Sequence, residues 1–443
     1  MITILGAGES GTGAAILAKE KNLNPFVSDM GSIKPMYKAL LDQHQIPWEE
    51  GQHSAEKILK SDFVIKSPGI PETAPLIKQL REQGTSVISE IEFAARYTHA
   101  KMICITGSNG KTTTTSLVYD ILRRAGLNVG LAGNIGSSLA LQVAHEEHDY
   151  YVIELSSFQL DNMYDFKADI AILLNITPDH LDRYDYIFQN YVNAKFRITQ
   201  NQSPSEAFIY WSEDPVIDAE LRKLDIKATL YPFGQNKDNH NIAYVDEDQM
   251  IVATEATRFF SIPTNELALH GRHNTYNSMA ATIAAQILHI KNDVIREALQ
   301  NFKGVEHRLE YVATVRNVRF INDSKATNVN SCWYALESMT TPTVLILGGQ
   351  DKGNDYSEID QLVREKVHTL VYMGLHNEKL HEHFDSMGLQ VIDTNNIADA
   401  VYQAYQAAHE GDTVLLSPCC ASFDLFTSYE DRGQQFKQQV RNL

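Results

Sequence analysis

Cysteine is scarce in this chain of 443 residues, which contains four. Cys104 and Cys332 stand alone, Cys419 and Cys420 are adjacent, and none has the spacing of a metal-binding motif. So few cysteines in so long a chain do not form a disulfide framework, which is a feature of small secreted domains. We therefore expect a reducing, cytoplasmic compartment.

Positive charge and long apolar runs are also in short supply. Lysine and arginine number 38 against 56 acidic residues, so the net charge is −18, which excludes a non-specific nucleic-acid binder. No apolar run approaches the roughly 18 residues of a membrane-spanning helix. The opening letters MITILGAGES lead into a strand and do not resemble a signal peptide. We expect no nucleic-acid partner and no membrane insertion.

Apolar strands alternate with helical stretches along most of the chain, which predicts an α/β protein with parallel sheets. The length favours about three domains. Changes in the pattern predict domains at residues 1–94, 95–301 and 302–443. Predicted strands in the first domain are MITILGAG, which runs into a glycine turn, PFVSD, DFVIKSPGI and TSVISEIEF. Those in the second are KMICITG, YYVIEL and ADIAILLNIT, followed by a β-rich patch of ATLYPFG, MIVAT and RFFSIP. Those in the third are VRFINDS, TVLILGG, TLVYMG and DTVLLSP.

The first glycine-rich turn reads GAGESG, with Gly6, Gly8 and Gly11 between a strand and a helix. Asp29 ends the next strand, about 20 residues further on, as in dinucleotide-binding proteins. The pattern indicates that backbone N–H groups at a helix start approach an anion. It is compatible with NAD or FAD, with another nucleotide, or with a plain tight turn.

A second glycine-rich turn follows the buried strand KMICIT and reads GSNGKTT, from Gly107 to Thr113. Only two residues separate Gly107 from Gly110, whereas the common phosphate-binding loop has four between its glycines. Because strand, loop, Lys-Thr and helix occur together, we interpret the turn as a shortened phosphate loop. Lys111 would then reach terminal phosphate oxygens, and the hydroxyl of Thr112 or Thr113 would bind Mg²⁺.

Polar residues follow the next strands of the same domain. Glu154 ends one strand, as a metal-binding carboxylate or a structural one, and His180 follows another, as a metal ligand or a packing histidine. Ligands collect at the carboxyl ends of parallel strands, which favours the functional interpretation. Lys195 lies on a predicted helix, and from the residues alone it is a solvated lysine, since an ammonium group cannot bind Mg²⁺.

The motifs TGSNGKTTT, ELSSFQL, NITPDHLDRY, YVNAK, GRHNTYN, EHRLE, NDSKATN, LGGQDKG and LSPCCASFD occur in this order across the three domains. In sequence and spacing they resemble the Mur ligases, the ATP-dependent amide-forming enzymes of peptidoglycan precursor synthesis. ELSSFQL, NDSKATN and LSPCCASFD are most similar to members that add D-glutamate. The D-N-P-R motif of the members that add meso-diaminopimelate does not occur.

The resemblance implies a Rossmann-like first domain that binds the UDP of the substrate, not NAD. It implies a central P-loop domain that binds ATP, and a Rossmann-like third domain that closes on ATP and binds D-glutamate. The implied reaction joins D-glutamate to UDP-N-acetylmuramoyl-L-alanine through an acyl phosphate. Implied cofactors are ATP, two Mg²⁺ ions and a carbamate on Lys195. A cytoplasmic monomer acting on small molecules is expected.

Residue roles carry over from the matching motifs. Catalytic roles fall to Lys111, Glu154, His180, Lys195 and His307. Metal ligands would be Thr112, Glu154, His180 and the carbamate of Lys195. ATP contacts would come from Gly107, Ser108, Asn109, Gly110, Lys111, Thr112, Thr113, Asn274, Asn277, Arg308 and Asp323. Contacts with the UDP substrate would come from Gly8, Ser10, Asp29, Ser67, Gly69 and Asn134. D-Glutamate contacts would come from Lys325, Thr327, Lys352, Ser422 and Phe423. Met30 departs from the family, where a threonine often follows the acidic residue, so a hydroxyl contact to uracil is lost there.

Three other interpretations are compatible with parts of the pattern. A folylpolyglutamate-type ligase of the same superfamily would share the ATP loop, but the UDP-type first domain argues against it. An NAD-dependent oxidoreductase fused to an ATPase would bind a dinucleotide at the first glycine turn. A nucleotide sensor would bind without turnover, although Lys111, Glu154, His180 and Lys195 occur together as an active enzyme requires.

Overall fold

The structure is a computed structural model that describes residues 1–237, 240–255, 258–351 and 353–443. Three sheets flanked by helices confirm the predicted α/β class. By its internal contacts the chain divides into two units, one formed by Met1–Glu266 and Tyr276–Gln300, the other by Leu267–Thr275 and Asn301–Leu443. The first two sheets belong to the first unit. No helix within the described residues is long and apolar enough to cross a membrane.

The first sheet is parallel throughout, in the order β3-β2-β1-β4-β5. Its strands are β1 (Ile2–Leu5), β2 (Pro25–Asp29), β3 (Trp48–Glu50), β4 (Phe63–Lys66) and β5 (Ser86–Ile88). The helices of this segment are α1 (Glu9–Glu20), α2 (Pro35–Gln43), α3 (Ala55–Ile58), α4 (Pro75–Glu82) and α5 (Glu90–Ala95). The apolar run of β1 is buried because this strand is the middle one, covered on both faces.

The central sheet has the order β14-β13-β12-β11-β10-β9-β6-β8-β7, parallel except where β12, β13 and β14 pair antiparallel. Its strands are β6 (Lys101–Thr106), β7 (Val129–Gly133), β8 (Tyr150–Glu154), β9 (Ile170–Leu173), β10 (Ala207–Trp211), β11 (Thr229–Phe233), β12 (Ala243–Asp246), β13 (Gln249–Glu255) and β14 (Arg258–Pro263). The helices are α6 (Lys111–Arg124), α7 (Leu139–His145), α8 (Ser157–Leu160), α9 (Phe188–Phe196), α10 (Pro215–Leu221), α11 (Arg272–Ile287) and α12 (Asn292–Asn301). β6, where the phosphate loop begins, lies between β9 and β8.

The third sheet has the order β15-β16-β20-β17-β18-β19, and only the edge strand β15 runs antiparallel to its neighbour. Its strands are β15 (Glu310–Val315), β16 (Val318–Asn322), β17 (Thr343–Leu347), β18 (Val367–Met373), β19 (Gln390–Thr394) and β20 (Thr413–Leu416). The helices are α13 (Val329–Glu337), α14 (Asp360–Lys366), α15 (Glu378–Phe384), α16 (Ile397–Ala407) and α17 (Tyr429–Arg441). Two apolar clusters cover the two faces of this sheet.

The first and second sheets share one apolar core, which α1, α5 and α7 help to form. Glu90, at the start of α5, is a buried carboxyl group within this packing. Its Oε1 accepts hydrogen bonds from the Ser138 hydroxyl at 2.7 Å and from the Ala140 N–H at 2.6 Å. Burial, reinforced by the charge of Glu9, raises the pKa of Glu90 from 4.5 to about 7. The carboxyl group therefore holds the start of α7 against the first domain. Its ionisation inside the core lowers the stability of the fold, so this contribution depends on pH.

Candidate active site

The second glycine turn is a loop from Gly107 to Gly110, between the carboxyl end of β6 and the start of α6. Asn175, just after β9, holds this loop through three hydrogen bonds, one of them from its side-chain nitrogen to the Asn109 carbonyl at 3.1 Å. Its backbone oxygen accepts from the Ser108 N–H at 2.9 Å, and its side-chain oxygen accepts from the Asn109 N–H at 2.8 Å. The Ser108 hydroxyl donates to the Thr177 carbonyl at 2.8 Å. The neighbouring strand thus fixes the loop, a role that the motif analysis did not assign to Asn175.

Gly110 has a φ of +81°, a left-handed conformation that disfavours other residues. A Cβ atom at this position would lie 2.5 Å from the side-chain oxygen of Asn277, so the loop also requires glycine for space. Asn277 is buried, and the structure therefore places this predicted ATP residue against the loop. Asn274 belongs to the other unit, where its side-chain nitrogen donates to the His270 carbonyl at 2.8 Å.

Two lysines converge on one carbonyl of the loop. The Lys111 ammonium group donates to the carbonyls of Gly107 and Ser108, both at 2.8 Å, and the Lys195 ammonium group donates to the Gly107 carbonyl at 2.7 Å. Lys195 is 1% exposed, so the interpretation of this residue as a solvated lysine is wrong. Burial, and then the charge of Lys111, hold the pKa of Lys195 well below its ordinary value. The Lys195 amine therefore tends toward its neutral, nucleophilic form.

An acidic group faces this cationic region from the end of β8. Glu154 is 1% exposed, and its Oε1 accepts a hydrogen bond from the Asn134 amide at 2.9 Å. Its Oε2 is buried and has no hydrogen-bond partner in the described part of the chain, and the same holds for the Thr113 hydroxyl. A buried carboxylate oxygen without a donor is costly unless a cation compensates it. Each of these two atoms is an oxygen, the type of ligand that Mg²⁺ prefers.

His180 lies in the loop after β9, with a left-handed φ of +52°. Its ring packs edge-on against Phe158, with 5.2 Å between ring centres, and its Nε2 lies 3.7 Å from an oxygen of Asp179. The charges of Asp179 and Glu154 both act on the Lys195 amine. The structure thus brings the predicted residues Lys111, Glu154, Lys195 and the loop of His180 to one region.

The first glycine turn is closed by Asp29, whose carboxylate accepts from the Ala7 N–H at 2.7 Å and the Gly31 N–H at 2.8 Å. Of the other predicted substrate residues here, Gly8 precedes α1, Ser10 lies in its first turn, and Ser67 and Gly69 follow β4. A cavity of about 550 Å³ opens beside Gly69. Leu5, Met30, His53, Ile70 and Pro71 also line it. Met30 therefore contributes apolar surface to the cavity in place of a hydroxyl group.

Two cations near this turn were not predicted. Lys66, only 2% exposed, donates to the Ile70 carbonyl at 2.6 Å and pairs with Glu72 at 3.1 Å. Arg183, from the short 3₁₀ helix Leu181–Tyr184, donates to the Pro68 carbonyl at 3.1 Å. Both donate to backbone carbonyls of one turn, so they fix its shape. Arg183 is the arginine of the motif NITPDHLDRY, so the sequence did contain a signal for it, but the motif analysis gave this arginine no role.

In the second unit, His307, Arg308 and Asp323 lie close together. Asp323 accepts from the Leu309 N–H at 3.2 Å and the Ser417 hydroxyl at 2.9 Å, and burial raises its pKa to about 6 despite the charge of Arg308. The Arg308 Nε is buried without a hydrogen-bond partner among the described residues. His307 is buried, with a side-chain nitrogen of Asn322 3.0 Å from its Nδ1. Within this group the Arg308 Nε is therefore a buried donor that is not used by the described residues.

The predicted D-glutamate residues come from loops that a buried arginine joins. Arg432, fully buried, donates to the Ser324 hydroxyl at 3.0 Å, to the Ser324 carbonyl at 2.8 Å and to the Cys420 carbonyl at 3.2 Å. The first loop contains Lys325 and Thr327, and the second contains Ser422, which is buried, and Phe423, which is 66% exposed. Lys352 lies outside the described residues. Arg432 was not predicted from the sequence.

Comparison with known proteins gives the family. Models described as MurD N-terminal domain, Mur ligase middle domain and Mur ligase glutamate ligase domain match residues 1–75, 105–285 and 307–420. A UDP-N-acetylmuramoylalanine--D-glutamate ligase of Bacteroides fragilis is 68% identical over 443 residues, covering 100% of this chain and 99% of that protein. The chain belongs to the Mur ligase family. A protein with the same description from Porphyromonas gingivalis is 57% identical, covering 100% of this chain and 98% of that one.

Solved structures of other Mur ligases share the fold. A UDP-N-acetylmuramate-alanine ligase from Thermotoga maritima superposes with a TM-score of 0.63 at 18% identity, covering 100% of this chain and 99% of that one. A MurF ligase of the same organism, in complex with ADP, has a TM-score of 0.61 at 14% identity, covering 96% of this chain and 99% of that one. At such low identity these likenesses concern the fold of this Mur ligase and not its substrate.

Proposed function

We propose that this Mur ligase joins D-glutamate to UDP-N-acetylmuramoyl-L-alanine at the expense of ATP, in peptidoglycan precursor synthesis. The observation that carries the proposal is full-length identity of 68% with a protein named for that reaction. The site adds chemical support, since two lysines and a buried carboxylate converge beside a phosphate-type loop. An amide-forming reaction of a carboxylate needs such a site, because a carboxylate has no leaving group until it is activated.

The first step forms an acyl phosphate. A carboxylate oxygen of the alanyl group bonds to the γ-phosphorus of ATP while the bond to the bridging oxygen breaks, and ADP leaves with that electron pair. Two anions meet in this step, so neutralisation of charge is the main catalytic task. Lys111, released from the loop carbonyls that it now binds, would contact the phosphate oxygens, while the loop's N–H groups hold the phosphates.

The second step forms the amide. The D-glutamate nitrogen adds to the acyl carbon, a tetrahedral oxyanion forms, and the carbon–oxygen bond to phosphate then breaks as the nitrogen loses a proton. We propose that Lys325, Thr327, Lys352, Ser422 and Phe423 bind D-glutamate. The buried Arg432, which binds both loops, would keep their spacing constant. His307, Arg308 and Asp323 would contact ATP from this domain.

We propose two Mg²⁺ ions at this site and a carbamate on Lys195. Thr112 and Glu154 would hold one ion, and His180 with the carbamate would hold the other. The ions would neutralise the phosphates and the alanyl carboxylate. A carbamate forms when the nitrogen of a neutral amine bonds to the carbon of CO₂ and gives up a proton to solvent, and the lowered pKa of Lys195 supports that reaction. The buried Glu154 oxygen without a donor supports a cation beside it.

The domain roles remain part of the proposal. Residues 1–94 would bind the UDP moiety through Gly8, Ser10, Asp29, Ser67 and Gly69, with Asn134 of the central domain near the acyl group. Residues 95–301 would bind ATP, and residues 302–443 would close on it. Solution scattering with and without nucleotide and substrate tests closure, and identical profiles would contradict it. We further propose a cytoplasmic monomer that acts on small molecules only.

A paired-substrate assay tests the reaction. Phosphate release is measured with Mg²⁺, ATP, UDP-N-acetylmuramoyl-L-alanine and D-glutamate, and in parallel with a folate and L-glutamate. We expect turnover only with the first pair and only when both of its members are present. Turnover with the folate pair would instead indicate a folylpolyglutamate-type enzyme. ATP binding without turnover would indicate a sensor, and quenching or enhancement of NADH fluorescence would indicate a dinucleotide site.

A further inference from the structure

A cluster of two histidines and an aspartate lies at the amino ends of strands in the third sheet. His368 is the second residue of β18, Asp412 immediately precedes β20, and His409 begins the turn that leads to Asp412. The predicted D-glutamate residues Lys325 and Ser422 follow the carboxyl ends of β16 and β20. The cluster therefore belongs to the opposite edge of the sheet and has no role in the reaction proposed above.

The ligand atoms of the cluster are close enough for one metal ion. Asp412 Oδ2 lies 2.9 Å from His368 Nε2 and 3.4 Å from His409 Nδ1, and all three atoms lie within 4.8 Å of one another. Zn²⁺ binds imidazole nitrogen and carboxylate oxygen at about 2.0–2.2 Å, so ligands of one ion lie about 3–3.5 Å apart. Two of the three separations are already near this range.

The Thr369 hydroxyl lies 2.9 Å from His368 Nδ1, and it also lies 3.3 Å from the Gln390 side-chain oxygen. The tautomer in which His368 Nδ1 donates to this hydroxyl leaves a lone pair on Nε2. In that tautomer the lone pair faces the Asp412 carboxylate at 2.9 Å, so the two atoms can share a proton or a metal ion.

A metal-binding histidine typically donates its second nitrogen to a fixed acceptor, and the Thr369 hydroxyl is placed to accept from His368 Nδ1. Asp412 is held in place as well, because its Oδ2 also accepts the His409 N–H at 2.7 Å and its side chain is only 6% exposed. The His409 side chain is 81% exposed, which leaves an approach for the ion and room for water to complete the coordination. Two imidazoles and one carboxylate favour Zn²⁺ over Mg²⁺, which prefers oxygen ligands.

We propose that His368, His409 and Asp412 form a binding site for a divalent transition-metal ion, Zn²⁺ in the first instance. The bound ion would join β18 to the turn before β20, two segments separated in the sheet by β17. Its effect would be on the stability of the third domain and not on the chemistry of ligation.

The test compares Zn²⁺ binding by tag-free full-length protein and variants, in excess Mg²⁺ so that the nucleotide site is occupied. We expect one more equivalent of bound Zn²⁺ in the wild type than in His368→Gln, and a thermal midpoint that rises with Zn²⁺ only in the wild type. Co²⁺ should give visible absorption bands of a nitrogen- and oxygen-ligated ion in the wild type, which the variant loses. His376→Gln removes an exposed histidine of the same domain that lies outside the cluster, and it should bind as the wild type does.

Thr369→Val provides a milder perturbation, because it keeps the ligands and the shape of the strand residue and removes only the hydroxyl that orients His368. Loss of such an orienting group weakens metal binding about tenfold or more. Ligase turnover should be unchanged in Thr369→Val and His368→Gln. Equal Zn²⁺ stoichiometry and affinity in the wild type and in His368→Gln would overturn the proposal. The proposal would also be overturned if the wild type bound no additional equivalent of Zn²⁺ at millimolar Zn²⁺. In that case the cation shared by His368 and Asp412 would be a proton.

Discussion

Replacement of Glu90 by glutamine should stabilise the protein, and more so as the pH rises. Burial raises the pKa of Glu90 from 4.5 to about 7, so the folded state binds this proton more tightly than the unfolded state does. Between these two values the folded state holds more protons, and stability therefore falls as the pH rises through the window. Above pH 7 the carboxylate is ionised in both states, and the full cost of burying its charge persists.

The size of the effect follows from the shift. About 2.5 pKa units at about 1.4 kcal/mol each give a cost of about 3 kcal/mol at pH 8.5, and only about 1 kcal/mol at pH 5.5. A glutamine side-chain oxygen can accept both hydrogen bonds that Glu90 now accepts, from Ser138 and Ala140. Glu90→Gln removes the titrating proton and keeps these contacts, so its gain over the wild type should grow by about 2 kcal/mol between the two pH values.

Urea unfolding at pH 5.5 and 8.5, followed by circular dichroism, measures this difference. Glu92→Gln is the matched control on the same helix. Glu92 is equally buried, but it pairs with Arg96 at 3.1 Å and accepts the Tyr164 and Phe166 N–H groups, so its loss should destabilise at both pH values. A Glu90→Gln variant that is no more stable than the wild type at pH 8.5, or whose gain is the same at both pH values, would refute the reasoning.

Three further substitutions test the proposed site. Lys111→Ala should keep the far-ultraviolet dichroism of the wild type and lower ATP turnover at least about a hundredfold, since it removes a charge that neutralises the transferred group; near-normal turnover would contradict the phosphate-loop assignment. Lys195→Ala should be inactive and regain part of its turnover with short carboxylic acids, which supply oxygens in place of the carbamate; full activity without them would reject that role. Arg432→Met leaves the Ser324 and Cys420 carbonyls without donors and should cost about 3 kcal/mol in urea unfolding. It should also raise the KM for D-glutamate more than that for ATP, and an unchanged ratio would argue against a role in spacing the two loops.

The fold was predictable from the sequence where strands are buried on both faces. β1, β6 and β17 are central strands whose apolar runs stand out in the letters. The strands that were missed include β3 and β19, each at an edge of its sheet. Their residues are largely half-exposed, so neither an apolar run nor a strict alternation marks them. These edge strands are recognised by their hydrogen bonds to the neighbouring strand, and the letters of the strand itself do not reveal that pairing.

The motif residues were predictable, but the contacts that position them were not. The hydrogen bond from Lys195 to the Gly107 carbonyl joins residues 88 positions apart, and that from Arg432 to Ser324 spans 108. A charged side chain is buried only where partners such as these, distant in the sequence, surround it. The sequence next to such a residue therefore suggests that it is exposed. The resemblance to a family supplied a role for Lys195 and none for Arg432 or Asn175, which act on backbone groups.

The four cysteines make the molecule a reporter of its own unfolding. All are buried, and burial raises the pKa of the Cys104 and Cys420 thiols, so a thiol reagent should react with them only when the surrounding sheet opens. Cys104 belongs to the central sheet, whereas Cys332, Cys419 and Cys420 belong to the second unit. Mass spectrometry of labelled peptides over time would therefore give separate opening rates for the two units in the unmodified chain, without an engineered probe.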